Sequence, residues 1–104
     1  MRHFLVALLK VLLGRLILRN NGMEILPLHP EVALYLHAHG LERRFLKQIR
    51  LLKINVRYPS LRVEILEPKH LRIYSFRVDR KYRAIFIFRD STHIEIIDIN
   101  DHYQ

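Results

Sequence analysis

Apolar residues in the C-terminal part of the chain recur at every second position, a spacing that predicts β-strands. The alternation runs through residues 61–65 and 73–78, and apolar residues dominate the runs at 83–88 and 93–99. Short polar segments at 78–82 and 90–92 separate the last three runs. Because a few residues can join two antiparallel strands but not two parallel ones, we expect an antiparallel meander of four strands.

The preceding part of the chain has the longer repeat of amphipathic helices. Pro30 and Glu31 favour the first turn of a helix. The backbone N–H that proline lacks would have no acceptor in this turn, and the carboxylate of Glu31 is stabilised by the helix dipole. Gly40 is expected to end that helix near His39. A second helix is predicted from the apolar residues that follow at helical spacing, which are Leu41, Phe45, Ile49 and Leu52.

A short strand over residues 24–28 is predicted to precede both helices. The order of one strand, two helices and four strands is typical of an α+β fold in two layers. We therefore expect an N-terminal helical hairpin packed on one face of a twisted antiparallel sheet.

The first 22 residues differ from the rest of the chain because they carry basic residues and no acid. Lys10 and Arg15 interrupt the apolar run too early for a stable membrane span, which needs about 20 apolar residues. Two interpretations stay open for this segment. It is either an appended helix that lies on the domain or on a membrane surface, or an extension from a start codon upstream of Met23. The predicted domain organisation is thus an extension at 1–22 and one domain at 23–104.

Composition fits one small domain with a polyanionic partner. The chain has 104 residues, of which 50% are hydrophobic and 27% charged, a balance that can bury a single core. Its formal net charge is +8, which favours nucleic acid, an acidic membrane surface or an acidic protein as the partner. The absence of cysteine excludes disulfides, thiolate metal sites and a cysteine nucleophile, and it is typical of a protein of the reducing cytoplasm.

Motifs of common catalytic and metal sites are missing from the sequence. It contains no Gly-rich phosphate loop, no H-E-x-x-H pair and no calcium-binding loop. His29, His37 and His39 lie close together in sequence, but His37 and His39 are expected on different faces of a helix and no third ligand is suitably spaced. We expect these histidines to be ordinary surface residues and predict no metal site.

Two arginines on neighbouring predicted strands are the strongest candidates for chemistry. Period-two alternation puts Arg77 and Arg83 near the same end of one hairpin, where their guanidinium groups could bind the same phosphate. The alternative is that they are solvated strand arginines paired with Glu64, Glu95 or Asp79. His102, three residues beyond the last apolar strand residue, could exchange a proton near neutral pH, although a histidine in such a tail is more often inert.

Three ordered segments resemble the RelE/ParE superfamily of type II toxins. They are YPSLRVEIL at 58–66, IYSFRVDRKYRAIFIF at 73–88 and IEIIDINDH at 94–102. The similarity is nearest to the RelE/StbE group of messenger-RNA interferases and covers nearly all of residues 23–102. It implies a helical hairpin on an antiparallel sheet, in agreement with the layout predicted above.

The resemblance also implies an activity and its residues. It implies a toxin that cleaves translated messenger RNA, on the ribosome and without a metal or cofactor, and that a cognate antitoxin inhibits in the cytoplasm. It assigns Arg83 to the scissile phosphate, Arg77 to a basic position on the preceding strand and His102 to a position of general acid or base. The expected RNA-binding residues are Arg62, Lys69, Arg72 and Ser75.

Two other functions remain open at this stage. A ParE-like toxin would share the fold, inhibit DNA gyrase and cleave nothing. A catalytically inactive module would only bind an antitoxin or RNA through its basic surface. New RNA ends formed on expression would distinguish the interferase from both.

Overall fold

A computed structural model describes residues 22–102, which form two helices and one five-stranded sheet. The helices are α1 (Pro30–Ala38) and α2 (Glu42–Ile54). The strands are β1 (Glu24–Ile25), β2 (Glu64–Ile65), β3 (Tyr74–Arg77), β4 (Arg83–Phe88) and β5 (His93–Asn100). This content confirms the predicted α+β class. The predicted extension at 1–22 lies outside the described residues except for Gly22.

The sheet is mixed rather than antiparallel throughout, which corrects the prediction. Its strand order is β1-β5-β4-β3-β2, and β1 is parallel to β5 while every other neighbouring pair is antiparallel. The parallel pair arises because α1, α2 and the meander all lie between β1 and β5 in the chain. A connection of that length allows two strands to run in the same direction.

Two predicted strands are shorter than the alternation indicated. β1 ends at Ile25 rather than at Leu28, and the predicted strand over 61–65 contains a strand at Glu64–Ile65 only. A 3-10 turn over Pro59–Leu61 takes the place of its beginning. Proline at the first position favours such a turn, and Arg62 leaves the turn with a left-handed backbone.

Gly40 separates the two helices, as predicted, with a left-handed φ of 63° that glycine adopts without a steric penalty. Each helix turns one apolar face to the interior. Val32 and Leu36 of α1 are buried, and α2 contributes Phe45, Ile49 and Leu52. α1 contacts β5, whereas α2 contacts both β1 and the 3-10 turn over Pro59–Leu61, so α2 extends across the sheet as far as β3.

The sheet has one face in the core and one face without helices. Phe45 of α2 lies 6.1 Å from Phe76 of β3, measured between ring centroids, so Phe76 marks the core face. Ala84 is opposite Phe76 and Ile99 is opposite Ala84, which extends this face across three strands. Arg77 and Arg83, one position away on their strands, therefore lie on the helix-free face.

The buried side chain of Gln48 on α2 is hydrogen-bonded to two backbone segments, the 3-10 turn before β2 and the end of β3. Gln48 is 6% exposed, and its Nε2 donates hydrogen bonds to the carbonyl oxygens of Ser60 at 3.2 Å and Arg77 at 2.7 Å. These two bonds join α2 to the 3-10 turn and to the end of β3. The helical spacing of the apolar residues gives no indication of this role for Gln48.

Replacement of Gln48 by leucine is expected to lower the free energy of unfolding by about 1–3 kcal/mol, because two carbonyl groups would lose their donor. Chemical denaturation followed by circular dichroism measures the difference. Lys47→Leu, at an exposed neighbouring position, is the matched control. Equal stability of both variants would contradict this role for Gln48.

No helix within residues 22–102 is long and apolar enough to cross a membrane.

Candidate nucleic-acid interface

Three polar side chains form a row across the helix-free face of the sheet. Arg77 of β3 lies directly opposite Arg83 of β4, and Arg83 lies directly opposite Asn100 of β5. Residues in such register share one face of the sheet. The expected placement of both arginines at one end of the β3–β4 hairpin is therefore confirmed.

The turn that joins β3 to β4 is held by Asp79. Its Oδ1 accepts hydrogen bonds from the backbone N–H groups of Lys81 at 2.9 Å and Tyr82 at 2.8 Å. Its Oδ2 accepts one from Arg44 of α2 at 3.2 Å. A carboxylate that closes the turn and also bonds to a helix fixes the end of the hairpin, and with it the two arginines on either side of the turn.

Arg83 is buried, which differs from the surface position that alternation suggested. The residue is 7% exposed, and its Nε donates to Ser75 Oγ at 2.9 Å. Its Nη2 donates to the carbonyl oxygens of Ser75, at 3.3 Å, and of Arg62. Alternation identifies the face of a residue but not how much its neighbours cover it, and here the 3-10 turn before β2 covers the guanidinium.

One nitrogen of the Arg83 guanidinium remains available. Nη1 has no hydrogen-bond partner among the described residues, whereas every buried side-chain nitrogen or oxygen in this part of the chain has one. Nη1 therefore keeps some contact with solvent, although the Arg83 side chain as a whole is only 8% exposed. The other donors hold the group rigidly, so Arg83 can present Nη1 to an anion with little further loss of side-chain entropy.

A carboxylate lies beside this guanidinium. Glu64 Oε1 is 3.7 Å from Arg83 Nη2, and the Glu64 side chain is 65% exposed. Burial lowers the pKa of Arg83 from its ordinary value, the charge of Glu64 raises it, and Arg77 and Arg62 lower it. Arginine nevertheless stays charged at physiological pH because its ordinary pKa is so high. The sequence indicates Glu64 only as an ion-pair partner of these arginines, but its exposure also allows it to contact a ligand.

Ser75 does not lie on the surface, so its predicted contact with RNA is corrected. The residue is 0% exposed, and its Oγ accepts the hydrogen bond from Arg83 Nε. Alternation gave Ser75 and Arg77 the same face, which the register bears out, but the two residues differ in depth. Ser75 positions Arg83 instead of contacting a ligand.

Arg62 and Arg72 occupy equivalent positions after two short turns. Each follows a 3-10 turn, over Pro59–Leu61 and Lys69–Leu71, and each has a left-handed backbone, with φ of 44° and 54°. The two segments share the pattern Leu-Arg followed by a β-branched residue. Both arginines are exposed, as is Lys69, so all three can reach the backbone of a nucleic acid.

Arg62→Gly and Arg72→Gly are expected to weaken RNA binding without destabilising the fold. Glycine adopts the left-handed region freely, so the free energy of unfolding should stay within about 1 kcal/mol of wild type. Each substitution should reduce the slope of log affinity against log salt concentration by about one. Fluorescence anisotropy with single-stranded RNA in a salt series measures this slope, with Arg50→Ala on α2 as the control. An unchanged slope would exclude the phosphate contact.

His102 lies just beyond the row of polar side chains. It follows Asn100 by two residues, and its backbone N–H donates to Asn100 Oδ1 at 3.1 Å. The His102 side chain is 78% exposed, and its Nε2 is 3.9 Å from Asp101 Oδ1. The imidazole is thus close in sequence to the residue opposite Arg83 and open to solvent.

His29, His37 and His39 each contact a nearby side chain. His29 Nε2 is 2.6 Å from Glu95 Oε2, and His37 Nδ1 is 3.3 Å from Glu42 Oε1. His39 stacks on Tyr35 with a centroid distance of 4.0 Å. Residues 22–102 contain no group of three or more side chains arranged to hold a metal ion.

A solved toxin–antitoxin structure has a similar fold. It is a heterotetrameric complex of YoeB and YefM from Staphylococcus aureus, and the match has a TM-score of 0.52 and 25% sequence identity over 78% of this chain and 98% of that chain. No family model and no curated protein matches the sequence. In its fold as in its three sequence motifs, the chain resembles the RelE/ParE superfamily of toxins.

Proposed function

We propose that this protein is the toxin of a type II toxin–antitoxin system and that it cleaves translated messenger RNA without a metal ion. The observation that carries the proposal is the open Nη1 of Arg83, which lies beside Arg77 on the helix-free face. A rigidly held guanidinium with one nitrogen that is not bonded to the protein is suited to bind a phosphate. The similarity to a chain of a toxin–antitoxin complex supports the same assignment.

The proposed reaction is an in-line attack by the ribose 2′-oxygen on the adjacent phosphorus. The 2′-O–P bond forms, the P–O5′ bond breaks, and the products are a 2′,3′-cyclic phosphate and a 5′-hydroxyl. Negative charge accumulates on the non-bridging oxygens, where Arg83 Nη1 and Arg77 stabilise it. Removal of one such donor from an enzyme typically costs about 3 kcal/mol of transition-state stabilisation.

Two proton transfers complete the reaction. One group accepts the proton of the 2′-hydroxyl, and another donates a proton to the leaving 5′-oxygen. An imidazole is able either to accept or to donate a proton, so we assign one of the two transfers to His102, and such catalysis contributes about 10²- to 10⁴-fold. Glu64, an exposed carboxylate 3.7 Å from Arg83, is the second candidate for the proton acceptor.

Binding of the RNA backbone is assigned to Arg62, Lys69 and Arg72, which are exposed. The formal net charge of +8 favours salt-dependent affinity with little dependence on sequence. DNA should bind but remain intact, because it lacks the attacking 2′-hydroxyl. The cognate antitoxin is expected to place acidic residues over the same arginines and so to compete with RNA.

The contacts of Arg83 favour a second candidate function. Three of its hydrogen bonds go to protein atoms, so the residue can serve stability alone. In that case the protein inhibits DNA gyrase or binds RNA or antitoxin without catalysis.

Controlled expression of the full chain, followed by mapping of RNA 5′ ends, tests the proposal. The expected result is arrest of translation together with new 5′-hydroxyl ends inside translated messenger RNAs. Growth arrest without new ends would instead support inhibition of gyrase. The absence of both effects would leave a non-catalytic binding module.

A further inference from the structure

The residues that follow β5 leave the sheet along an unpaired edge. β1 pairs with β5 at His93 and Ile94 only, so among residues 22–102 the outer side of β5 has no neighbouring strand beyond that point. β5 ends at Asn100, and His102 lies two residues further on. Order in this tail therefore depends on side-chain hydrogen bonds rather than on the ladder of a sheet.

Three hydrogen bonds lead from β5 to the backbone of His102. Asp98 Oδ1 accepts from the N–H of Ile99 at 2.8 Å, which fixes the carboxylate. Asp98 Oδ2 accepts from Asn100 Nδ2 at 2.8 Å, and Asn100 Oδ1 accepts from the N–H of His102 at 3.1 Å. Side chains two residues apart on a strand share a face, which allows Asp98 and Asn100 to meet. We call this pair the Asp98–Asn100 clasp.

The carboxylate of Asp98 determines which way the amide of Asn100 points. An ionised carboxylate only accepts hydrogen bonds, whereas an amide has a donor end and an acceptor end. The donor end, Nδ2, therefore faces Asp98, and the acceptor end, Oδ1, faces the backbone N–H of His102. An asparagine that accepts from the N–H two residues later stabilises a turn, so the chain bends directly after β5.

The same asparagine ends the row of polar side chains. Asn100 lies directly opposite Arg83, whereas the His102 side chain is 78% exposed, so packing contributes little to the position of the imidazole. Proton transfer requires the imidazole within hydrogen-bond reach of the reacting oxygen, and a displacement of about 1 Å is costly in rate. The direction in which the chain leaves Asn100 thus controls the distance from the imidazole to a phosphate bound at Arg83.

Resting on the proposed function, we propose that Asn100 is a positioning residue for His102 and that Asp98 orients Asn100. Neither side chain needs to contact the RNA. The clasp holds the tail in a turn that directs the imidazole towards the row of polar side chains, so less conformational freedom is lost when the transition state forms. Without the clasp, the folded protein keeps the arginines and the imidazole but loses their relative placement.

Backbone dynamics of the full chain test the clasp without RNA. NMR relaxation of the His102 amide should give the order parameter of a rigid backbone, about 0.85, in the wild-type protein, and Asn100→Ala should lower it below about 0.6. Asn55→Ala is the matched control, because Asn55 Oδ1 accepts from the N–H of Arg57 at 2.9 Å in the same way, at the end of α2. Equal mobility of His102 in all three proteins would overturn the proposal.

Cleavage kinetics test whether this order matters to the reaction. Asn100→Ala should lower the maximal single-turnover rate on a translated message by about 5-fold, the equivalent of one ordinary hydrogen bond. The RNA concentration that gives half of the maximal rate should stay unchanged. Asn55→Ala should cleave at the wild-type rate. A wild-type rate per folded molecule for Asn100→Ala would show that the clasp serves the structure of the tail only.

A double-mutant cycle distinguishes positioning from direct contact with the RNA. Once His102 is replaced by alanine, the clasp has no imidazole to position. His102→Ala and the combined variant with Asn100→Ala should therefore cleave equally slowly. Additive losses would overturn the proposal and indicate that Asn100 contacts the substrate itself.

Two conservative variants test the orientation of the amide. Asp98→Asn keeps the oxygen that accepts from Ile99 but turns a donor towards Asn100, whose amide must then reverse and present Nδ2 to the N–H of His102. Its rate should fall as far as that of Asn100→Ala. Asn100→Ser should recover part of the rate, because a serine hydroxyl accepts from the same N–H more weakly. A wild-type rate for Asp98→Asn, or no recovery by Asn100→Ser, would contradict the proposal.

The NMR and kinetic results together separate this inference from the proposed function. If Asn100→Ala mobilises His102 and neither protein produces RNA ends, the nuclease is refuted, while the ordering of His102 by Asn100 is confirmed. If both proteins cleave equally well, the positioning role is refuted and the nuclease is retained.

Discussion

Replacement of Arg83 by lysine should reduce RNA cleavage by about 10²- to 10³-fold, the usual cost of losing one transition-state donor. Lysine has no planar fork, so it cannot bond to Ser75 and Arg62 and also present two donors to a phosphate. The protein should also lose about 1–3 kcal/mol of stability, because buried acceptors would lose their donor. Cleavage must therefore be measured as a rate per folded molecule, well below the midpoint of thermal unfolding.

Ser75→Ala separates the two effects of Arg83. It removes the Oγ that accepts from Nε, so it should destabilise the fold, but it leaves Nη1 in place and should reduce cleavage much less than Arg83→Lys. Arg89→Lys, an exposed arginine paired with Glu95, controls for loss of a guanidinium elsewhere on the sheet. If Ser75→Ala and Arg83→Lys lost stability and cleavage in equal proportion, Arg83 would be a structural residue only.

His102→Ala should reduce cleavage by about 10²- to 10⁴-fold, the range typical of a general acid or base. The folded state should be unaffected, because the His102 side chain is 78% exposed and its hydrogen bond to Asn100 comes from the backbone. Single-turnover cleavage of a translated message, together with thermal unfolding, measures both quantities. A loss of activity at constant stability is the expected signature of a proton-transfer group.

His37→Ala provides the matched control for that experiment, because His37 is a histidine of similar exposure, 77%, on the surface of α1. It should cleave at the wild-type rate. Wild-type cleavage by His102→Ala as well would exclude His102 and leave Glu64 as the candidate group for proton transfer. A combined His102→Ala and Glu64→Gln variant would then be expected to lose the activity.

The secondary structure was predictable where a single local rule determined it. α1 begins at Pro30 and ends just before Gly40, because the φ angle of proline suits a first helical turn and glycine adopts the left-handed backbone that follows a helix end. The β3–β4 turn follows from Asp79, whose carboxylate bonds to the backbone two and three residues later. The prediction was wrong at residues 61–63, where Pro59 and a left-handed Arg62 form a turn that alternation alone did not indicate.

The candidate site was predictable in its position on the hairpin but not in its depth. Period-two alternation placed Arg77 and Arg83 near the same end of one hairpin, and the register confirms it. Burial of Arg83 and Ser75 depends on the turn before β2, which lies far from β4 in sequence. The two hydrogen bonds of Gln48 likewise join segments that no local pattern connects.

The sequence by itself therefore determined the α+β class, the limits of α1, the β3–β4 hairpin and the position of the two arginines near one end of it, because each depends on neighbours within a few residues. Only the tertiary structure decided the parallel pairing of β1 with β5, the cover over Arg83 and the position of Asn100 opposite Arg83. These features depend on which distant segments pack together and in which register, and a one-residue shift in β5 would have moved Asn100 away from its place opposite Arg83.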